Sequence, residues 1–167
     1  MAKRSFSIAT FTTAAFADTS TMSSNNYAAL QGGSSTQSIR VSELYMGGQA
    51  TSSAPQYIVV GRDSTVGATP TALSAPAYDA PLNPATAALA APAVPFVAAT
   101  TNPQRSSSLH LLSPSFNANG GLTRWVAYPD EEIWILGNTA SNGEISISGY
   151  TGTTAAAVSL HLVYEPI

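Results

Sequence analysis

The sequence predicts an all-β fold: an antiparallel β-sandwich, jelly-roll-like, of about eight strands in one domain. Three observations predict it. The second half carries four short apolar runs with period-2 alternation, separated by turn residues. The first half holds several more, less regular. Nowhere does a long 3.6-residue apolar stripe mark a dominant amphipathic helix. Eight strands is the count typical of jelly rolls, although spacing alone does not reveal the connectivity.

The elements follow in order. RSFSIATF (4–11) is a candidate edge strand. SIRVSELYM (38–46) alternates Ile39, Val41 and Tyr45 on one face, interrupted by Glu43, and is expected to end at Gly47-Gly48. QYIVVG (56–61) is a short β-branched run suited to a core strand. SSLHLL (107–112) alternates again and stops before Pro114. LTRWVAY (122–128), EIWILG (132–137), GEISISG (143–149) and AAVSLHLVYE (156–165) complete the set. The last places Val158, Leu160, Leu162 and Tyr164 on one face and Ser159, His161 and Val163 on the other, the pattern of a half-buried strand. In GEISISG, Ile145 and Ile147 are expected inward and the serines outward. Tyr128-Pro129-Asp130 and Asn142-Gly143 supply the φ values that turns need.

Two segments stand apart. Residues 1–20 read as an N-terminal arm before a single domain at 21–167. Their basic start and Ala15-Phe16-Ala17 imitate a secretory signal, but Ser and Thr interrupt the apolar middle, so retention is expected. Residues 79–104, DAPLNPATAALAAPAVPFVAATTNPQ, carry one charge and no glycine. Asn83 is a good helix N-cap, Pro84 suits the first turn, and Pro92 ends the Ala-rich run. Beyond it the prolines enforce extended backbone. The segment is an ordered, apolar excursion that needs a covering surface, in its own domain or on a neighbour.

Composition narrows the function. There are no cysteines among 167 residues, which excludes disulfides and thiolate metal sites. Charged residues make up 9%, against roughly 25% in ordinary soluble domains. A weakly charged chain that is 44% hydrophobic does not fit disorder, but it fits a surface covered by assembly. Six basic residues and a net charge of −3 give no nucleic-acid footprint, and no apolar run is long enough to span a membrane as a helix.

Chemical motifs are weak. His110 and His161 sit at alternate strand positions, where solvent-facing polar residues are ordinary. Asp130, Glu131 and Glu132 form a small acidic cluster without calcium-loop spacing. No nucleophile elbow accompanies the serines, and the glycine doublets lack a phosphate-cradle context. The expectations are no enzyme activity, no cofactor and no metal site. Phe6, Phe11, Phe16, Leu89, Val94, Phe96 and Trp134 are the candidate assembly-interface residues.

The Ala/Ser/Thr/Gly-rich loops, the N-terminal arm and the ending EEIWILGNTASNGEISISGYTGTTAAAVSLHLVYEPI resemble small tailed-bacteriophage virion proteins. Among these the chain looks most like jelly-roll capsid decoration, or cement, proteins. The resemblance covers style rather than a diagnostic motif, so it carries over no residue role. It implies a homo-oligomer, often a trimer, made in the host cytoplasm and seated on the virion's capsid exterior against the major capsid protein. The alternative is a tail or head-fibre adhesin that binds host carbohydrate through Trp125, Trp134 or loop tyrosines.

Overall fold

The computed structural model describes residues 5–12, 27–32, 38–67, 71–73, 75–78, 93–97, 103–137, 143–150 and 156–167. Twelve strands lie among them: β1 (Phe6–Thr12), β2 (Ala28–Gly32), β3 (Ile39–Gln49), β4 (Pro55–Thr65), β5 (Thr71–Ala72), β6 (Ala93–Val97), β7 (Gln104–Leu112), β8 (Ser115–Asn117), β9 (Asn119–Val126), β10 (Ile133–Ile135), β11 (Glu144–Gly149) and β12 (Val158–Pro166). No helix occurs among the described residues. The short helix expected after Asn83 lies outside them.

The strands form two antiparallel sheets. The first runs β1-β12-β3, with β10 and β9 succeeding each other along the far edge of β3. The second runs β5-β6-β2-β11-β4, with β7 and β8 sharing the far edge of β4. The pairing has a simple logic. β1 pairs with β12, β2 with β11, β3 with β9 and β10, and β4 with β7. First against last and second against second-to-last is one long hairpin rolled into two layers, a jelly roll.

All the strands read from the sequence occur. β2, β5, β6 and β8 are additional. AALQG in β2 has poor intrinsic strand propensity and is a strand because β6 and β11 pair with it on both sides. β6 brings residues 93–97 of the apolar excursion into the protein's own second sheet, with Ala29 opposite Phe96.

Residues 6–12 are not a free arm. They form the edge strand β1, in continuous register with β12 from Phe6–Tyr164 to Thr12–Val158. The core lies between the sheets, where Phe6, Ile8, Leu160 and Leu162 meet Ile58, Val60, Ile145 and Ile147. Each such side chain stabilises the fold by about 1.5–3 kcal/mol through burial. Phe6 is fully buried and stacked on Tyr164, with ring centroids 5.8 Å apart.

Two local devices shape the first sheet. Opposite β12, the register of β3 passes from Glu43 against Val163 to Val41 against Tyr164, leaving Ser42 as a β-bulge. The extra residue reverses the alternation, so Ile39 and Val41 point inward on one side of it and Leu44 and Met46 on the other. Tyr45, expected inward, therefore lies on the outer face with Glu43. β3 also runs through Gly47-Gly48 instead of ending there. A Cβ on Gly48 would lie 2.5 Å from the Ala118 Cβ, so this glycine permits close packing rather than a turn.

Between the sheets, Asn117 holds the corner from β8 to β9. Its Oδ1 accepts from the backbone N–H groups of Ala54 at 2.9 Å and Asn119 at 3.0 Å, and its Nδ2 donates to Ser53 Oγ at 2.9 Å. After β9, Tyr128 to Glu131 form a turn closed by Glu131 N–H donating to Tyr128 C=O at 3.0 Å. Pro129 is at its second position and Asp130, with φ 71°, at its third, the geometry of a type II turn.

Candidate functional site

Three features on the outside of the sandwich are candidates. The first is a trough on the outer face of the first sheet. Its floor is the outward row of β12, Ser159, His161 and Val163. Two adjoining depressions, of about 660 and about 380 Å3, share Tyr45 and His161. The larger is closed by Ser5, Ser42, Glu43 and Tyr78, and Leu122 and Thr10 border the smaller. The Ser42 bulge creates this surface by turning Glu43 and Tyr45 outward.

The trough's side chains are linked in a chain. The Tyr78 hydroxyl and His161 Nε2 are 2.9 Å apart, and His161 meets the Tyr45 ring in a T-shaped contact at 5.7 Å. The Arg124 guanidinium lies 4.9 Å from the Tyr45 ring centroid and donates to Glu43 Oε2 at 3.1 Å. Glu43 also accepts from the Tyr45 hydroxyl, which raises the Tyr45 pKa because ionisation would oppose two negative oxygens. Tyr78 itself is on a segment pinned to β1: Tyr78 N–H donates to Ser5 C=O at 2.9 Å, and Ser7 N–H to Pro76 C=O at 3.1 Å.

The second feature is the outermost strand of that sheet. β9 and β10 are collinear along β3 and carry Leu122 (69% exposed), Val126 and Trp134, with exposed Tyr128 just after β9 and Leu136 (53% exposed) just after β10. This is an exposed apolar row on an open sheet edge, a feature that proteins normally blunt with charge. Arg124 is the charged residue on β9, and Asp130 and Glu131 are exposed in the turn between β9 and β10.

No family model and no curated protein matches the chain. Among solved structures, a KBV particle activated at acidic pH is similar at 9% identity and a TM-score of 0.28, over 86% of this chain and 48% of that one. The infectious bursal disease virus Gt strain is similar at 15% identity and a TM-score of 0.13, over 100% of this chain and 38% of that one. The chain thus spans about half the length of the first and less of the second. The jelly-roll description rests on the strand pairings.

The third feature is a polar cluster buried on the outer face of the second sheet. Asp63 of β4, Arg105 of β7, and Glu144 and Ser146 of β11 are each at most 3% exposed. Ser146 accepts from Arg105 Nε at 3.1 Å and Nη2 at 2.8 Å, and donates to Asp63 Oδ1 at 2.6 Å. Burial first, then the hydrogen bond to Asp63, pushes the Glu144 pKa up to about 9. Burial pushes Asp63 up to about 6, against the pull of its hydrogen bonds and of Arg105. Both carboxyl groups are raised by burial, so the pair favours retaining a proton, while the Ser146 hydroxyl and Arg105 favour charge on Asp63. The serines of β11 do point away from the core, as expected, but they are buried there rather than bathed in solvent.

The candidates named from sequence scatter across these features. Phe6 belongs to the core, which leaves it no surface for a partner. Phe11 is in β1, and Val94 and Phe96 are in β6; their side chains, and Phe16 and Leu89 altogether, lie outside the described residues. Trp134 is on the apolar row, 37% exposed, and its carbonyl accepts from Arg62 Nη1 at 2.6 Å. Trp125 packs half-buried against the core. His110 is exposed on β7, in a T-shaped contact with Tyr150 at 6.4 Å, far in the topology from His161 on β12. Glu132 is spent on Arg40 at 3.6 Å, and Glu165 binds the same guanidinium at 2.6 Å.

Proposed function

We propose that this chain is a virion structural protein, a jelly-roll subunit that decorates a capsid and holds neighbouring capsid subunits together from outside. The observation that carries the reading is the apolar row of β9 and β10 on the open edge of a rolled β-sandwich. Jelly rolls recur in capsid proteins, a likeness of architecture that supports the assignment without assigning residues. The low charge, read from sequence as a sign of life in an assembly, fits a subunit whose Leu122, Trp134 and Leu136 are covered by a partner. Binding only to assembled particles stabilises them by mass action, and repeated copies multiply weak contacts into avidity. The partner in this reading is the major capsid protein, together with further copies of the chain itself, and the place is the capsid exterior.

The test is co-sedimentation of the purified chain with undecorated particles, alongside the heat resistance of those particles. Saturable binding that raises heat resistance supports the role. The double variant Leu122→Asp/Leu136→Asp, which alters exposed side chains only, is expected to lose binding while its thermal unfolding stays unchanged. Absence of binding by the unaltered chain refutes the decoration role.

A further inference from the structure

The trough on the first sheet presents a puzzle of preorganisation. Tyr78 is 59% exposed, yet three contacts fix it: the Tyr78–Ser5 and Ser7–Pro76 backbone hydrogen bonds and its hydroxyl against His161. The two backbone hydrogen bonds are those of the antiparallel bridge between Phe6 and Ala77. Ordering an exposed aromatic costs side-chain entropy that its own burial here does not return. Rigid aromatics that cost little further entropy on binding are what a recognition surface uses.

We propose that the trough is a binding site for a neutral saccharide, with Tyr78 as the stacking platform and His161 and Glu43 as polar anchors. Three observations select that ligand class. The lining combines aromatic rings with hydroxyl and carboxylate groups, from Ser5, Ser42, Tyr45, Tyr78 and Glu43, the mixture that suits a molecule with apolar C–H faces and many hydroxyls. The charge of Glu43 is matched by Arg124, so the described residues of the trough present no excess cation to select a phosphate or a carboxylate ligand. The trough crosses the face of the sheet along β12, whose two edges are occupied by β1 and β3, so an extended peptide finds no open ladder to join. A volume of about 660 Å3 is within the range of ligand clefts, and the adjoining depression lengthens it for a short oligosaccharide. The trough adjoins the apolar row, and Leu122 borders both, whereas Tyr78 and Ser5 line the trough away from the row; the subunit thus has a ligand on its face while its edge engages the particle.

The experiment is an array of neutral oligosaccharides, with anionic glycans and peptides alongside, probed with the intact chain, followed by titration of the best neutral binder monitored through backbone amide shifts. The expected result is binding that shifts the amides around Tyr78, Tyr45 and His161. Tyr78→Ala and His161→Ala are each expected to weaken it by about tenfold or more. Tyr78→Phe, which keeps the ring and loses the hydroxyl contact with His161, is expected to be intermediate. Tyr57→Ala, on the other sheet, is expected to bind as the unaltered chain does. No binding across the array, tighter binding of anionic glycans or peptides, or binding indifferent to Tyr78→Ala would overturn the proposal. Co-sedimentation of Tyr78→Ala with particles is expected to be unchanged, so failure here and failure of the decoration role read out separately.

Discussion

Asp63 on β4 and Glu144 on β11 face each other across the strand pair, and both are buried. The register that sets Ile145 against Arg62 places the two carboxyl groups side by side on the outer face of the second sheet. Asp63 Oδ2 is buried and, among the described residues, receives no hydrogen bond from an N–H or hydroxyl group. A proton retained by the pair supplies the missing donor, while Asp63 Oδ1 takes the Ser146 hydroxyl. With Arg105 bound to Ser146, the cluster carries one negative charge, one positive charge and one neutral acid, the distribution that low-dielectric burial favours.

This arrangement makes stability fall as pH rises. Glu144 keeps its proton in the folded chain up to about 9, whereas the unfolded chain releases it near 4.5. The folded state therefore binds more protons between those values, and unfolding free energy declines across that window. Asp63, raised in the same direction, steepens the decline at its acidic end. The melting temperature is expected to be higher at pH 5 than at pH 8, with about 2–4 °C for each kcal/mol lost. Glu144→Gln, which keeps a donor for Asp63 without a titrating group, is expected to flatten the slope. A slope of the same size in that variant would place its origin elsewhere.

Phe6 tests the division between core and surface. Its burial and its stack on Tyr164 predict that Phe6→Ala costs about 3–5 kcal/mol, measured by urea denaturation of the isolated chain. An interface residue would instead leave the isolated chain's stability almost unchanged and weaken its assembly.

The sequence was most legible where one face of a strand meets the core and the other meets solvent. Val158, Leu160, Leu162 and Tyr164 are all buried, as their alternation demands. It was least legible where a local irregularity or a distant neighbour sets the environment. The Ser42 bulge leaves no mark in SIRVSELYM, so strict alternation puts Tyr45 on the inner face and hides the trough. QYIVVG marks β4 only as far as Gly61, which leaves Asp63 beyond the legible strand. Glu144 stood next to a turn signal, where a charge suggests solvent. Its strand neighbours Ser146 and Ser148 offered no hint that this face is covered. A carboxylate inside a strand facing another across the ladder was the available signal, but it requires knowing that β4 and β11 pair.

Asp130 offers a stabilising change. A non-glycine residue at φ 71° strains its backbone, and the third position of a type II turn favours glycine. Asp130→Gly is expected to raise stability by up to about 1 kcal/mol, the relief being partly offset by glycine's greater freedom in the unfolded chain. The carboxylate makes a small charge contribution to Arg40, whose principal partner is Glu165, so its loss is minor. A drop in melting temperature in this variant would show that the Asp130 side chain stabilises the turn in another way.

Gly48 tests the close approach of β3 to the corner after β8. An added Cβ would stand 2.5 Å from the Ala118 Cβ, 2.7 Å from its Cα and 3.0 Å from Ala157 C=O. Ala118 has little room to yield: its N–H donates to Ala54 C=O at 2.9 Å and its C=O accepts from Ala50 N–H at 3.0 Å. Relief must come from displaced backbone, so Gly48→Ala is expected to cost about 1–3 kcal/mol in urea denaturation. Gly47→Ala is the matched control, because its new Cβ would meet Ser159 Oγ at an ordinary 3.4 Å and glycine carries an entropic cost within a strand. Adding Ala118→Gly to Gly48→Ala removes the nearest clash but not the contact with the Cα, so partial recovery is expected. Equal stability of Gly48→Ala and Gly47→Ala would show that the corner yields more readily than its hydrogen bonds imply.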